Sequence, residues 1–331
     1  SNKIHHDKIK KQIIYKNAWL EIYDFPVFYF PKFFHPDPTV KRQSGFLNPE
    51  LGSGSGLGNS VYTPYFFVIS GEKDLTVKPK LFDDNKFLLQ NEYRQKTKNS
   101  FTIADFGFLN GHNSSTQDKG GIRSHLFTST EMDLSLDNYI NSTLKINYQK
   151  TTNDNYLKLF NLKSPLPLQD DVLESFVELN LSHERYDLTT SMQMYETLKG
   201  SNSDRYTYAL PNYDLTKSFN LESIDGSFNF NSTGSNTLND TNILSTSISN
   251  DLNYTSLDNF LNNGIKSNFE ISLKNINTVG KNNPTYKNTP QSELTSTYSY
   301  NASLPLTKKN NKSFNTLEPK LSLRFSPHDM K

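Results

Sequence analysis

Ile265-Lys266-Ser267-Asn268-Phe269-Glu270-Ile271-Ser272-Leu273-Lys274 alternates with a period of two. Ile265, Phe269, Ile271 and Leu273 fall on one face; Lys266, Asn268, Glu270 and Lys274 fall on the other. Successive side chains point to opposite faces of a strand, so this is a β-strand with one apolar and one charged side. The pattern recurs along the chain. Leu144, Ile146 and Tyr148 alternate with Lys145, Asn147 and Gln149. Val177, Leu179 and Leu181 alternate with Glu178, Asn180 and Ser182. Leu321, Leu323 and Phe325 alternate with Lys320, Ser322 and Arg324, and Phe87, Leu89 and Tyr93 oppose Gln90, Glu92, Arg94 and Lys96. Helical spacing is almost absent. Clusters of Gly, Asn, Asp and Ser at 52–58, 83–85, 110–121, 199–204, 232–240 and 282–288 read as turns. After residue 42 the spacing predicts about 11–14 strands of roughly 10 residues.

Composition separates the architectures that such strands can build. Only 34% of the 331 residues are hydrophobic, below the share that a soluble core uses, yet 13% are aromatic, which argues against disorder. A soluble sandwich hides its apolar face and uses strands of about 5–6 residues. A membrane barrel turns that face to lipid and uses strands of about 9–11 residues. The long runs, the strongly polar second faces and the low apolar total favour the barrel. The expected fold is all-β, an antiparallel transmembrane β-barrel, partial in this chain. Lys plus Arg is 35 and Asp plus Glu is 34, a balance that argues against nucleic acid as a partner. The absence of cysteine excludes disulfides and thiolate metal sites. No apolar run reaches the length of a transmembrane helix. Residues 1–11 are polar and basic, and the chain does not start with Met, so it reads as an internal fragment.

The first 40 residues differ. Phe25 to His35 is a dense aromatic run interrupted by Pro26 and Pro31, and it ends in His35-Pro36-Asp37-Pro38. Two prolines within three residues are expected to exclude ladder pairing there, making Pro36, Asp37 and Pro38 a hinge between an N-terminal β module and the strand array. The aromatic run is either module core or an apolar slide for acyl chains, with Phe28, Tyr29, Phe30 and Phe33 as the candidate lipid path. Pro49, Pro64 and Pro79 recur at 15-residue intervals, one in each of the first three candidate strands. They either punctuate strand ends or mark strands that separate, because each proline removes one ladder N–H. Gly45 and Phe46 join these prolines as candidate gate residues, and residues 52–58 read as a flexible turn between strands one and two. Lys41 and Arg42 are either a solvated pair or a contact for lipid phosphates. His5-His6 reads as surface. No nucleophile, phosphate-loop or metal-ligand spacing occurs, so no catalytic residue, metal or cofactor is expected.

The stretch from Phe25 to Phe106 is more specific. It reads PVFYFPKFFHPDPTVKRQSGFLNPELG from Pro26 to Gly52, TPYFFVISGEKDLTVKPKL from Thr63 to Leu81, and LQNEYR from Leu89 to Arg94. This resembles the LPS-assembly outer-membrane protein family (LptD, also called OstA). The matching positions include Pro26, Tyr29, Pro31, His35, Pro36, Asp37, Pro38, Lys41, Arg42, Ser44, Gly45, Phe46, Leu47, Pro49, Pro64, Tyr65, Asp74, Thr76, Pro79 and Glu92. The run from Tyr156 to Glu174 and the segments 302–306 and 317–319 match less sharply. The resemblance implies an outer-membrane translocon for lipopolysaccharide: a periplasmic β-jellyroll followed by a barrel of about 26 strands that releases lipid through a lateral gate. Residues 1–40 would be the end of the jellyroll with its hinge, and residues 41–331 the N-terminal part of the barrel. The implied partners are lipopolysaccharide, outer-membrane lipid, a plug lipoprotein in the lumen and a periplasmic bridge protein at the jellyroll edge. The alternatives from the residues alone are a diffusion porin and a secreted adhesin.

Overall fold

A computed structural model describes residues 3–9, 11–22, 25–40, 42–54, 58–83, 86–110, 122–160, 162–166, 171–199, 205–261, 263–310 and 313–327, with backbone only at Leu20, Ile22, Val27, Phe28, Pro36, Ser53, Gly54 and Asn310. The strands in chain order are β1 (Lys3–Asp7), β2 (Gln12–Ile22), β3 (Phe25–Pro36), β4 (Gly45–Phe46), β5 (Glu50–Gly54), β6 (Gly58–Tyr62), β7 (Tyr65–Val68), β8 (Lys73–Phe82), β9 (Phe87–Lys96), β10 (Ser100–Asn110), β11 (Arg123–Asp133) and β12 (Asn141–Thr151). A four-residue helix α1 (Tyr156–Leu159) follows. Then come β13 (Val172–His183), β14 (Tyr186–Thr197), β15 (Tyr206–Leu221), β16 (Ile224–Asn239), β17 (Ile243–Thr255), β18 (Asn259–Phe260), β19 (Lys266–Lys281), β20 (Gln291–Ser303), β21 (Leu306–Asn310), β22 (Ser313–Leu317) and β23 (Lys320–Phe325). No helix of the described residues is long and apolar enough to cross a membrane.

The chain divides into two compact units, Ser1–Thr128 with Lys150–Leu166, and Ser129–Gln149 with Pro167–Lys331; β11 and β12 run through both. In the first unit β1, β2 and β3 form a separate antiparallel sheet. A second meander pairs β4 with β7, β5 with β6, both β6 and β7 with β8, then β8 with β9 and β9 with β10. Its core lies where residues 152–160 and 162–166 cover one face of these strands. Phe82, Leu88, Leu109, Phe127, Leu157 and Phe160 are buried there. The other face of β10 shows Phe106 and Phe108 to the outside.

The second unit is a long antiparallel meander, β12-β13-β14-β15-β16-β17-β19-β20-β23. Its two faces differ as the alternation requires. Phe219, Phe228, Tyr254, Ile271, Tyr298 and Phe325 are successive cross-strand partners over six strands, and the apolar face around them is exposed, with Phe269 at 57% and Phe325 at 64%. Phe219 stacks on Phe228 at 5.4 Å, and Phe228 meets Tyr254 in a tilted contact at 4.8 Å. The opposite face is a ladder of amides and hydroxyls. There Asn301 Nδ2 donates to Asn268 at 3.1 Å and Ser322 Oγ to Asn301 at 2.7 Å, while further along the face of Phe228 and Tyr254 the aromatic residues give way to polar ones, where Ser232 Oγ donates to Asn250 at 2.7 Å. A soluble sheet buries its apolar face; this one presents it, which is how a strand wall meets hydrocarbon. The fold is all-β, the antiparallel wall of a transmembrane β-barrel.

Four local expectations change. Pairing does not stop before the hinge: β3 keeps a rung between Pro36 and Gln12, because a proline at the last rung displaces no further ladder bond. The 52–58 cluster is not one turn, since Gly52 lies in β5 and Gly58 in β6. Residues 232–239 are strand rather than turn. Ser232 bonds across to Asn250, Asn236 accepts from the Thr246 hydroxyl, and Gly234 leaves room for the Tyr213 ring; a Cβ there would meet the ring at 2.0 Å. Finally, β4–β23 are twenty strand segments among the described residues, because two long strands are broken near proline and short hairpins are added.

Candidate functional site

The first strands of the wall are interrupted near prolines. Pro49 and Pro64 lie in interruptions, Pro49 just before β5 and Pro64 just before β7, whereas Pro79 lies inside β8. β6 and β7 are one strand with a break, because Ser60↔Phe82 and Tyr62↔Lys80 before it share a register with Tyr65↔Val77 and Phe66↔Thr76 after it. Thr63 therefore stands opposite Pro79. Its N–H donates to the Pro79 carbonyl at 3.2 Å, and proline has no N–H to return. Leu47 repeats the arrangement one strand over, donating to the Pro64 carbonyl at 2.9 Å. Between Phe46↔Tyr65 and Glu50↔Tyr62, three residues (Leu47, Asn48, Pro49) face two (Thr63, Pro64), so Pro49 closes a bulge. Gly45 has open space around it, and Phe46 is 73% exposed, edge-on to Tyr65 at 4.9 Å.

Beside these rungs runs a chain of charges. Arg42 pairs with Asp74 and donates to the Gly71 carbonyl at 2.9 Å, which ties the segment after the hinge to the β7–β8 turn. Arg94 Nε donates to the other Asp74 oxygen at 2.9 Å and lies 3.7 Å from Glu92. Lys78 closes the chain on Glu92 at 2.7 Å. Three cations on two carboxylates leave one positive charge in excess. Lys41 lies outside the described residues.

The β1–β3 sheet presents an aromatic stripe. Trp19 packs on Tyr29 at 4.9 Å, Tyr15 on Phe33 at 6.0 Å, and the Tyr15 hydroxyl lies 2.9 Å from His35 Nε2. Trp19, Tyr29 and Phe33 are exposed, and Phe30 sits 5.5 Å from Phe33. The Phe28 side chain lies outside the described residues. At the expected hinge position Asp37 makes a tight turn: its carboxylate accepts from the Thr39 N–H at 2.9 Å, from the Thr39 hydroxyl at 2.7 Å, and pairs with His6 at 2.5 Å. The Thr39 N–H first, then its hydroxyl and His6, hold the Asp37 carboxyl below its usual range. Asp37 N–H also donates to the Lys11 carbonyl at 2.9 Å.

One cluster escaped the sequence reading. Gln90 Nε2 donates to both Asp105 oxygens, at 3.0 and 2.9 Å, and to the Lys163 carbonyl at 3.1 Å. His125 bridges Asp105 at 3.3 Å and the Tyr156 hydroxyl at 3.2 Å, and all four side chains are buried. Gly107 makes room for it, since a Cβ there would meet His125 Cε1 at 2.8 Å. Burial pushes the Tyr156 phenol far up, with Asp105 adding to the effect. The network pins α1 and its flanks to the polar face of β9–β11. The available signal was Asp105 inside the otherwise apolar run Ile103–Leu109, followed by the helix-like YLKLF at residues 156–160.

No family model matches the chain. Among curated proteins it is 38% identical over 94 residues to the LPS-assembly protein LptD of Pseudomonas aeruginosa (strain UCBPP-PA14), a match covering 28% of this chain and 10% of that protein. It is 35% identical over 103 residues to LPS-assembly protein LptD of Pseudomonas putida (strain W619), covering 31% and 11%. It is 39% identical over 84 residues to LPS-assembly protein LptD of Ectopseudomonas mendocina (strain ymp), covering 25% and 9%. The matched stretch thus spans about a tenth of the length of these relatives. Over this stretch the chain is similar to LPS-assembly protein LptD, and outside it the similarity rests on the all-antiparallel wall with its exposed apolar face.

Proposed function

We propose that this chain is part of an outer-membrane translocon that assembles lipopolysaccharide into the outer leaflet. Residues 1–40 are the end of a periplasmic jellyroll and its hinge, and residues 41–331 are the N-terminal part of the barrel. The observation that carries the reading is the pair of one-sided rungs, Leu47 to Pro64 and Thr63 to Pro79. A net intramolecular hydrogen bond contributes about 0.5–1.5 kcal/mol, and more where lipid excludes water. Strands that lack two such bonds separate more readily than their fully paired neighbours. Pro49, Pro64 and Pro79, with Gly45 and Phe46, form the lateral gate in this reading.

Lipid reaches the gate along the aromatic stripe, with Tyr29, Phe30, Phe33 and Phe28 as the path and Pro36, Asp37 and Pro38 as the hinge. The excess positive charge around Arg42, together with Lys41, meets lipid phosphates as they pass. Relatives named for LPS assembly support the substrate class. A periplasmic bridge protein would add to the edge of the β1–β3 sheet, and a plug lipoprotein would sit against the polar wall face.

The test is made in cells, on the protein that carries this chain. After its depletion, newly made lipopolysaccharide should vanish from the surface and accumulate inside. Normal surface lipopolysaccharide with altered uptake of small solutes would replace the translocon with a diffusion porin.

A further inference from the structure

The β21–β22 hairpin does not belong to the wall. It forms a two-stranded sheet of its own, from Leu306↔Leu317 to Asn310↔Ser313. It leaves the wall between β20 and β23, at the end of the second unit that also carries the two-residue turns 184–185 and 222–223. An isolated two-stranded hairpin is marginal in water, so this one calls for a surface to lie on. Its side chains describe that surface. Phe314, 66% exposed, stands opposite Lys309 on one face of the hairpin, while Leu306 and Leu317 stand opposite each other on the other face, which also carries Lys308. Among the described residues no carboxylate pairs with Lys308 or Lys309, while the nearby Glu318 lies 3.7 Å from Lys320. Residues 304–320 carry Lys308, Lys309, Lys312 and Lys320 against Glu318 alone. The exposed apolar side chains continue directly into Leu321, Leu323 and Phe325 of the wall.

We propose that the β21–β22 hairpin is a membrane-surface anchor that lays its Phe314 face at the boundary of an anionic lipid layer while Lys309 beside it and Lys308 on the adjoining position meet the headgroups. Apolar burial and cation–headgroup attraction act together in such interfacial elements. The inference rests on the wall lying in a membrane and does not depend on the cargo.

The chain has no cysteine, so Phe314→Cys takes a single environment-sensitive nitrobenzoxadiazole label. The labelled protein is reconstituted in phosphatidylcholine vesicles with or without phosphatidylglycerol. With phosphatidylglycerol the emission should shift to the blue and be quenched by lipids spin-labelled near the headgroup. Both effects should disappear without phosphatidylglycerol, in the Lys308→Glu/Lys309→Glu variant, and at about 1 M salt, where the screening length falls to about 3 Å. Water-like emission in anionic vesicles overturns the proposal. So does a blue shift that persists in detergent without lipid quenching, which marks a protein partner or a second copy. A label at Leu323→Cys separates the two readings. If it is blue-shifted in both vesicle types while Phe314 stays aqueous, the wall stands and the anchor falls. If it is aqueous in both, the membrane wall fails and the anchor with it.

Discussion

Thr63 donates its backbone N–H to the carbonyl of Pro79 at 3.2 Å, and Pro79 has none to give back. Because Leu47 and Pro64 repeat this relation one strand over, and residues 63 and 64 are neighbours, the two weakened rungs line up across three strands. A strand array that has lost return bonds at adjoining rungs has fewer bonds to break along that line. The cost of separating it is lower by about 0.5–1.5 kcal/mol for each absent bond.

Pro79→Ala restores the missing donor opposite Thr63, and Pro64→Ala restores the one opposite Leu47. Amide hydrogen exchange should slow at Thr63 in the first variant and at Leu47 in the second. Surface lipopolysaccharide should fall in both while the amount of assembled barrel holds. Unchanged exchange at both positions would remove the physical basis of the gate.

The buried network around Asp105 should hold residues 152–166 in place. Asp105→Ala leaves the Gln90 amide only its bond to the Lys163 carbonyl and leaves His125 Nε2 without its partner, at about 1–3 kcal/mol in all. Protease cleavage within 152–166 should accelerate well before the wall unfolds. Tyr156→Phe removes only the hydroxyl contact to His125 and should be milder, at about 1 kcal/mol in a denaturation curve.

Two glycines give opposite expectations. Gly107→Ala drives a Cβ against His125 Cε1 and the Leu89 carbonyl, both at 2.8 Å, and should destabilise by about 1–3 kcal/mol. Gly45→Ala meets nothing within 4 Å and should stay within about 0.5 kcal/mol of the parent. Thermal melts of the two variants make the comparison directly. A strong export defect in a stable Gly45→Ala protein would assign Gly45 to opening rather than to packing.

The turn at the hinge should respond to acid. Hydrogen bonds from Thr39 hold the folded Asp37 carboxyl below its ordinary value, so the turn is favoured above the unfolded carboxyl range and loosens as pH falls below about 4. Limited proteolysis at residues 37–40 should rise on acidification in the parent. Asp37→Asn should show no such rise. A flat response in the parent would show that the Pro36 rung and the Asp37–Lys11 backbone bond hold the turn without the carboxylate.

Much of the wall was legible because strand side chains alternate residue by residue. Ile146 and Tyr148 are exposed while Gln149 on the other face is buried, as their spacing requires. The polar run 232–239 was misread because Ser, Asn and Gly are also the residues of turns. Only neighbours at Tyr213 and Asn250 reveal that they are facing a partner strand. The three prolines were visible at once, but not their different positions. A proline one residue outside a strand and a proline inside one have the same letter; the register of the partner strand tells them apart.

Local spacing was enough to assign strands and to give each a wet and an apolar side, because a strand directs every side chain through its own backbone. Which rungs lack a return bond depended on pairing across strands, and which polar side chains became a network depended on packing. Asp105, His125 and Tyr156 are separated by 20 and 31 residues along the chain. Each reads locally as one more polar position. They become a single pinned unit when α1 closes over them, because excluding water leaves each group no partner but the others.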